Sequence, residues 1–414
     1  MKNVLNNAQF ARNKVFLLSL VFQLLFLSCE EEVVKNSSNL NIEKQEEPVF
    51  SVFITHDSII QWKHKINAQW VVKNHDKIVA DDSIRIKYRG GVSRQYPKHS
   101  LSLDSKNKLS IGELAPRKRW ILNANYIDKT FIRHTFHFEL FRKMAPRNVA
   151  PRFKYVQLYI NKAYTGLYVL MERTNEEMLL DQQNSKYPII FKEPPLFYVD
   201  YTAKLTDTVN PFHQKHPSLK DTNMNALLVE ASTFLHDSSD SLFKREVFSW
   251  FDRENIIDWH LILLLSNNGD GVLKNFYLYK KEVSQPFRIA IWDYDHSLGR
   301  DGDNELNLIR SGIQIKRNKL FERLITLNPN SYLEHLSNRW EELRFNQFSK
   351  EFLTALKDSL IEIITPEIQR NEEKWPYTDT TWYFDTADFY QEVALIDQFF
   401  LMQLPRLDSL VLEG

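Results

Sequence analysis

The 414-residue chain has one cysteine, Cys29, so no intramolecular disulfide can staple it. It also lacks a net charge, because Lys plus Arg and Asp plus Glu each number 53. Without a basic excess, a phosphate backbone would not be held by counterion release, and nucleic acid is not an expected partner. Glycine is scarce, at 10 residues, and neither an internal repeat nor a low-complexity tract is visible. The apolar run Val15–Leu27 is too short for a comfortable membrane span. What is present is globular: 43% hydrophobic, 26% charged and a high 13% aromatic residues, on a chain long enough for a sizeable core.

The apolar run follows a cationic stretch (Lys2, Arg12, Lys14) and ends at Ser28-Cys29. That order fits a signal peptide over 1–28 whose cleavage by lipoprotein signal peptidase leaves Cys29 as an acylated first residue. Several acyl chains on one cysteine give durable anchoring, where one chain alone would not. Residues 29–48 are polar and acidic and read as a flexible tether. Glu30, Glu31 and Glu32 resemble the export signal of surface lipoproteins in Bacteroidetes-type bacteria, and equally suit a solvated linker charge run. The expected location is therefore outside the cytoplasm, at the outer membrane or cell surface, with the membrane contacted through the lipid.

From Val49 the pattern is first sheet and then helix. Short alternating runs at 49–54, 68–72, 84–88 and 100–103 predict strands. An aromatic-rich helix follows, capped by Asp128 and stopped before Pro146; its Phe136, Phe138 and Phe141 are expected in the core. Runs at 155–160 and 166–171 around Asn161 predict a hairpin, and residues 174 to about 245 read as irregular. Residues 252–265 are apolar on most faces and predict a buried helix, on which His260 reads as a core histidine. Two short strands, 275–279 and 288–292, precede helices at 320–327, 331–343 and 351–364, with Pro366 as breaker or first-turn residue. This order predicts an α+β fold and argues against a doubly wound sheet.

Two acidic constellations in the second half could carry chemistry. Asp270 and Asn275 lie five residues apart just past the buried helix, the spacing of a kinase catalytic loop. In that pattern the aspartate orients and deprotonates a hydroxyl, and the asparagine oxygen binds a metal. Asp293 ends an apolar strand in Trp-Asp-Tyr-Asp-His-Ser-Leu-Gly, which places a hard oxygen ligand at the lip of a cleft. In the first half, Arg-Gly-Gly-Val-Ser-Arg-Gln-Tyr-Pro-Lys (89–98) offers two glycines whose amides can approach an anion and a lysine that can neutralise it. Each motif alone also suits an ordinary turn or cap. Their order is that of a kinase fold.

Five segments carry a resemblance to the spore coat protein H (CotH) kinase family between about Ser51 and Trp375. They are RGGVSRQYPKHSLSL, KRWILNANYIDKTFIRHTFHFEL, VQLYINKAYTGLYVLMER, GDGVLKNFYLY and IWDYDHSLG. The resemblance implies a two-lobed protein-kinase-like fold with a β-rich N-terminal lobe and a helical C-terminal lobe. Residues 49–300 would form its core and 301–414 a helical extension. It further implies ATP and Mg²⁺ (or Mn²⁺) as cofactors and an unidentified protein as phosphate acceptor. Carried over by position, Gly90, Gly91, Ser93, Lys98 and Glu172 would bind nucleotide, with Glu139 a candidate partner of the lysine. Asp270 would be catalytic, and Asn275 and Asp293 would hold metal. Many members have a second lysine where this chain has His99. An extracytoplasmic Ser/Thr kinase is the expected function, and a catalytically inactive surface scaffold or adhesin on the same fold is the alternative.

Overall fold

The computed structural model describes residues 49–200, 207–300, 312–376 and 387–412; the expected signal peptide, Cys29 and the expected tether lie outside them. Alternation of apolar and polar residues drives the first part into strands: β1 (Val49–Thr55), β2 (Ile66–Asn74), β3 (Lys77–Arg89), β4 (Ser100–Ile111), β5 (Leu114–Asn123), β6 (Phe153–Ile160) and β7 (Ala163–Glu172). They close into a barrel in the order β1-β2-β3-β4-β5-β7-β6, completed by parallel pairing of β1 with β6 through Val52↔Leu158. Closure leaves no open edge, and inward residues such as Phe50, Trp70, Leu103, Trp120 and Leu158 fill the interior. At the expected hairpin, Asn161 and Lys162 turn with φ of 48° and 71°, the left-handed pair that a type I′ turn needs.

Between β5 and β6 lies α1 (Arg133–Met144). Asp128 serves this helix from outside it: its carboxylate accepts the Thr130 and Arg133 amides at 3.1 and 2.8 Å. Ala145, extended before Pro146, ends the helix. Phe136, Phe138 and Phe141 of α1 share one core with the outer barrel residues Tyr155, Leu167 and Val169 and with the helices that follow.

The stretch 174–245, expected to be irregular, holds α2 (Glu176–Gln182), β8 (Ile189–Lys192), β9 (Gln214–His216), α3 (Asn225–Asp237) and α4 (Asp240–Trp250). These elements are short, and tertiary packing of residues such as Phe191, Leu228 and Phe243 outweighs weak local periodicity. The buried helix α5 (Arg253–Ser266) starts at Asp252, whose side chain accepts the Asn255 amide at 2.9 Å, and stops at left-handed Asn267. Strands β10 (Phe276–Lys280) and β11 (Arg288–Ile291) join β8 and β9 in a four-stranded sheet ordered β11-β10-β8-β9. Helices α6 (Lys319–Leu327), α7 (Tyr332–Phe345), α8 (Lys350–Lys374) and α9 (Phe389–Leu412) complete an α+β chain that is one compact unit from Pro48 onward. Pro366 is inside α8, contrary to expectation; buried Ile364, Ile368 and Asn371 on either side hold the helix against the loss of one backbone bond.

Candidate functional site

A cleft of about 760 Å³ lies between the ends of β3 and β4, the loop before α1, and the loops after α5 and β11. Gly90, Gly91, Ser93, Lys98, Asp270, Asn275 and Asp293, assigned from three distant segments, all line it; Glu172 does not. The β10–β11 hairpin explains one part of this convergence. Its register pairs Phe276 with Ile291, so Asn275 just before one strand faces the residues just after the other. Trp292 donates its amide to the Asn275 carbonyl at 3.0 Å, and the Asn275 side-chain NH₂ donates to the Asp293 carbonyl at 2.9 Å. That leaves the Asn275 amide oxygen as an acceptor beside Asp293. Both residues have left-handed backbones, with φ of 63° and 59°.

His134, Asp293 and Asp295 bring ligand atoms within 4.8 Å of one another. His134 Nε2 lies 3.7 Å from Asp293 Oδ1 and 3.8 Å from Asp295 Oδ2, while its Nδ1 accepts the Tyr294 amide at 2.9 Å. Because Nδ1 must keep its lone pair, neutral His134 carries its proton on Nε2 and offers the carboxylates a donor. His134 is thereby a partner of the two aspartates, and the carboxylate oxygens of Asp293 and Asp295, with the side-chain oxygen of neighbouring Asn275, could serve as the donor set. An all-oxygen set of this kind fits Mg²⁺ or Mn²⁺. Desolvation in the cleft and the Asp295 charge hold the Asp293 carboxyl above its ordinary range. Burial acts on Asp295 in the same sense but is overcome by His296, His134 and backbone amides, which hold it low. Two adjacent carboxylates of this kind are relieved by a cation.

The glycine loop runs into a short 3₁₀ turn, Val92–Gln95. Gly90 has φ of +138°, and a β-carbon there would meet Ser93 Oγ at 2.2 Å, so only glycine fits. Asp270 opens another 3₁₀ turn after α5, and its carboxylate pairs with Lys274 Nζ at 2.9 Å. Burial would lower the Lys274 pKa, but the bond and charge of Asp270 outweigh it and raise it.

Three expectations need correction. The Lys98 ammonium is sealed rather than open to phosphate: the residue is 1% exposed, and Nζ donates to the Leu167 carbonyl and to Asn371 Oδ1 at 3.0 Å. Burial pushes its pKa well below the ordinary lysine range. Glu172, the last residue of β7, is fully buried elsewhere, paired with Arg117 at 2.8 Å and accepting the Arg152 amide at 3.0 Å, and does not reach the cleft. Glu139 pairs with Arg142 on its own helix, so it is no partner of Lys98. His260 is, as expected, a core residue: Nδ1 contacts the Tyr332 hydroxyl at 2.9 Å, and burial lowers its pKa to about 3.

The cleft also contains Arg89, Lys192, Glu193 and Lys274, which carried no assignment. Arg89 and Lys274 stood beside assigned residues, and Asp295 lay inside the quoted Asp293 segment. Lys192 and Glu193 had no signal, because they sit at the end of a four-residue strand in a segment read as irregular.

The family model described as CotH kinase protein matches residues 86–402. The inner spore coat protein H of Bacillus subtilis (strain 168) is 22% identical over 284 residues, which cover 65% of this chain and 72% of that protein. Among solved structures, the Helicobacter pylori proinflammatory kinase CtkA matches with a TM-score of 0.25 and 11% identity, covering 66% of this chain and 93% of that one. The family match spans the barrel from β3, the cleft and the helices through most of α9, and the chain therefore belongs to the CotH kinase family.

Proposed function

We propose that this chain is an atypical protein kinase that transfers the γ-phosphate of ATP to Ser or Thr of a surface or secreted protein, with Mg²⁺ or Mn²⁺ as cofactor. The observation that carries the reading is the convergence of Asp270, Asn275, Asp293 and Asp295 with the Gly90–Gly91 loop on one cleft. In this reading Asn275, Asp293 and Asp295 hold the divalent ion, and His134 orients the carboxylates through its Nε2 proton. The ion, when bound, supplies positive charge at the phosphate oxygens. Asp270 accepts the proton of the acceptor hydroxyl as its oxygen bonds to the γ-phosphorus and the bridging bond to ADP breaks. Lys274, paired with Asp270, holds that carboxylate in place before the acceptor arrives. A lipid on Cys29 anchors the enzyme outside the cytoplasm, at the outer membrane or cell surface.

A second reading has its own support. The sealed Lys98 and the coat-protein name of the Bacillus relative favour a catalytically inactive scaffold or adhesin on the same fold. Two variants separate them. Asp293→Ala should weaken metal-dependent nucleotide binding as well as turnover. Asp270→Ala should leave binding near wild type and slow transfer by about 10²–10⁴-fold, the usual worth of a positioned base. Calorimetric Mg-ATP titration beside a radiolabel transfer assay measures both. Equal and small effects would mean that both carboxylates are turn residues, and the scaffold reading would stand.

A further inference from the structure

Resting on the kinase reading, we propose that Arg89, with Lys192 beside it, takes the charge of the nucleotide phosphates in place of Lys98. The position is set by the fold. Arg89 is the last residue of β3, directly before the Gly90–Gly91 loop, and its guanidinium lies 5.5 Å from the centroid of the Trp292 ring, one residue before Asp293. An anion bound by Arg89 would therefore lie between the Gly90–Gly91 loop and Asp293, which line the same cleft.

Charge points the same way. The Arg89 guanidinium has no hydrogen-bond or ion-pair partner among the described residues, although it offers five donors suited to bidentate phosphate contact. Burial pushes its pKa down, with Arg173 acting in the same sense against Tyr277 and Asp293. Arg89, Arg173 and Lys192 all act on the Tyr277 hydroxyl, with Glu193 as the opposing carboxylate. Lys192 meets Glu193 only at 3.7 Å. With the Arg89 guanidinium unpaired and Lys192 held only loosely by Glu193, the two cations are available to a polyanion entering the cleft. Lys98 cannot serve, since its ammonium bonds Leu167 and Asn371 and lies 4.7 and 4.6 Å from the Phe131 and Tyr168 ring centroids.

The test is calorimetric binding of Mg-ATP and of sodium tripolyphosphate to the full chain and its variants, with melting curves to establish folding. Arg89→Gln should weaken both ligands by about 10–100-fold, the worth of charged hydrogen bonds, and Arg89→Lys should recover part of the loss. Lys98→Met should lower the melting temperature while affinity per folded molecule stays within about threefold of wild type. If Arg89→Gln binds both ligands like wild type, the assignment is overturned and the kinase reading is untouched. Wild-type protein that binds neither ligand would remove the kinase reading and this inference together.

Discussion

At Gly166 the backbone has φ of +128°, and a β-carbon there would lie 2.9 Å from Asn371 Oδ1 and from Trp375 Nε1, and 3.1 Å from Lys98 Cε. The glycine allows β7 to meet α8: Asn371 Oδ1 accepts from both Lys98 Nζ and the Leu167 amide at 3.0 Å, and Trp375 Nε1 donates to the Thr165 carbonyl at 2.7 Å. Lys98 is thus a clasp between barrel and helix. Gly166→Ala should cost about 2–4 kcal/mol from strained φ and overpacking, read by urea denaturation. A loss under about 0.5 kcal/mol, the range of ordinary surface changes, would show that the clasp yields without cost. Gly91 is the control, with no atom within 4 Å of its notional β-carbon. Gly91→Ala should leave stability within about 0.5 kcal/mol, so any fall in Mg-ATP affinity reports ligand approach to the loop. The residue types at 90, 98 and 166 were readable in sequence. That Gly90 stands at the cleft while Lys98 and Gly166 meet Asn371, 273 residues beyond Lys98, was not.

Among elements, α1 and α9 are joined by charge. Buried Arg133 donates to Asp128 Oδ1 at 2.7 Å, to the Ser297 carbonyl at 2.9 Å and to Glu392 Oε2 at 3.1 Å, and Arg300 also pairs with Glu392. Burial works to raise the Glu392 pKa, but Arg133 and Arg300 outweigh it and hold it below its ordinary 4.5. Such a group contributes stability that is present above about pH 4.5 and lost as the pH falls through the lowered value. Glu392→Gln should cost about 3–5 kcal/mol near neutral pH, because two arginines stay buried without their shared charge. The difference from wild type should shrink in acid. Denaturant titrations at pH 7 and pH 3.5 test this, and a neutral-pH loss below about 1 kcal/mol would place the pair among weak surface bridges. Local signals were enough for α5, with its Asp252 cap, and for the Asn161 hairpin. They missed α2 to α4, whose formation depends on packing, and misjudged Pro366, whose cost is absorbed by the burial of α8.

For the whole molecule, the anchor proposal rests on the signal-peptide pattern ending at Cys29, outside the described residues. Cys29→Ser should shift the protein from the membrane fraction to the soluble one or leave it as unprocessed precursor. Unchanged fractionation, with no lipid label on the wild type, would sink the anchor. No described helix is long and apolar enough to cross a membrane. The sequence by itself determined the α+β class, the family and the seven cleft residues whose motifs are contiguous, because turn chemistry, periodicity and short spacings are local properties. Only the tertiary structure decided that β1 closes a barrel by pairing with β6 about a hundred residues away. It alone tied the Lys98 ammonium to Leu167 and Asn371, kept Glu172 out of the cleft, and brought His134 and Lys192 to it. Burial and long-range pairing choose among side chains that are chemically able to do the same work, and neither is written in any one segment of the chain.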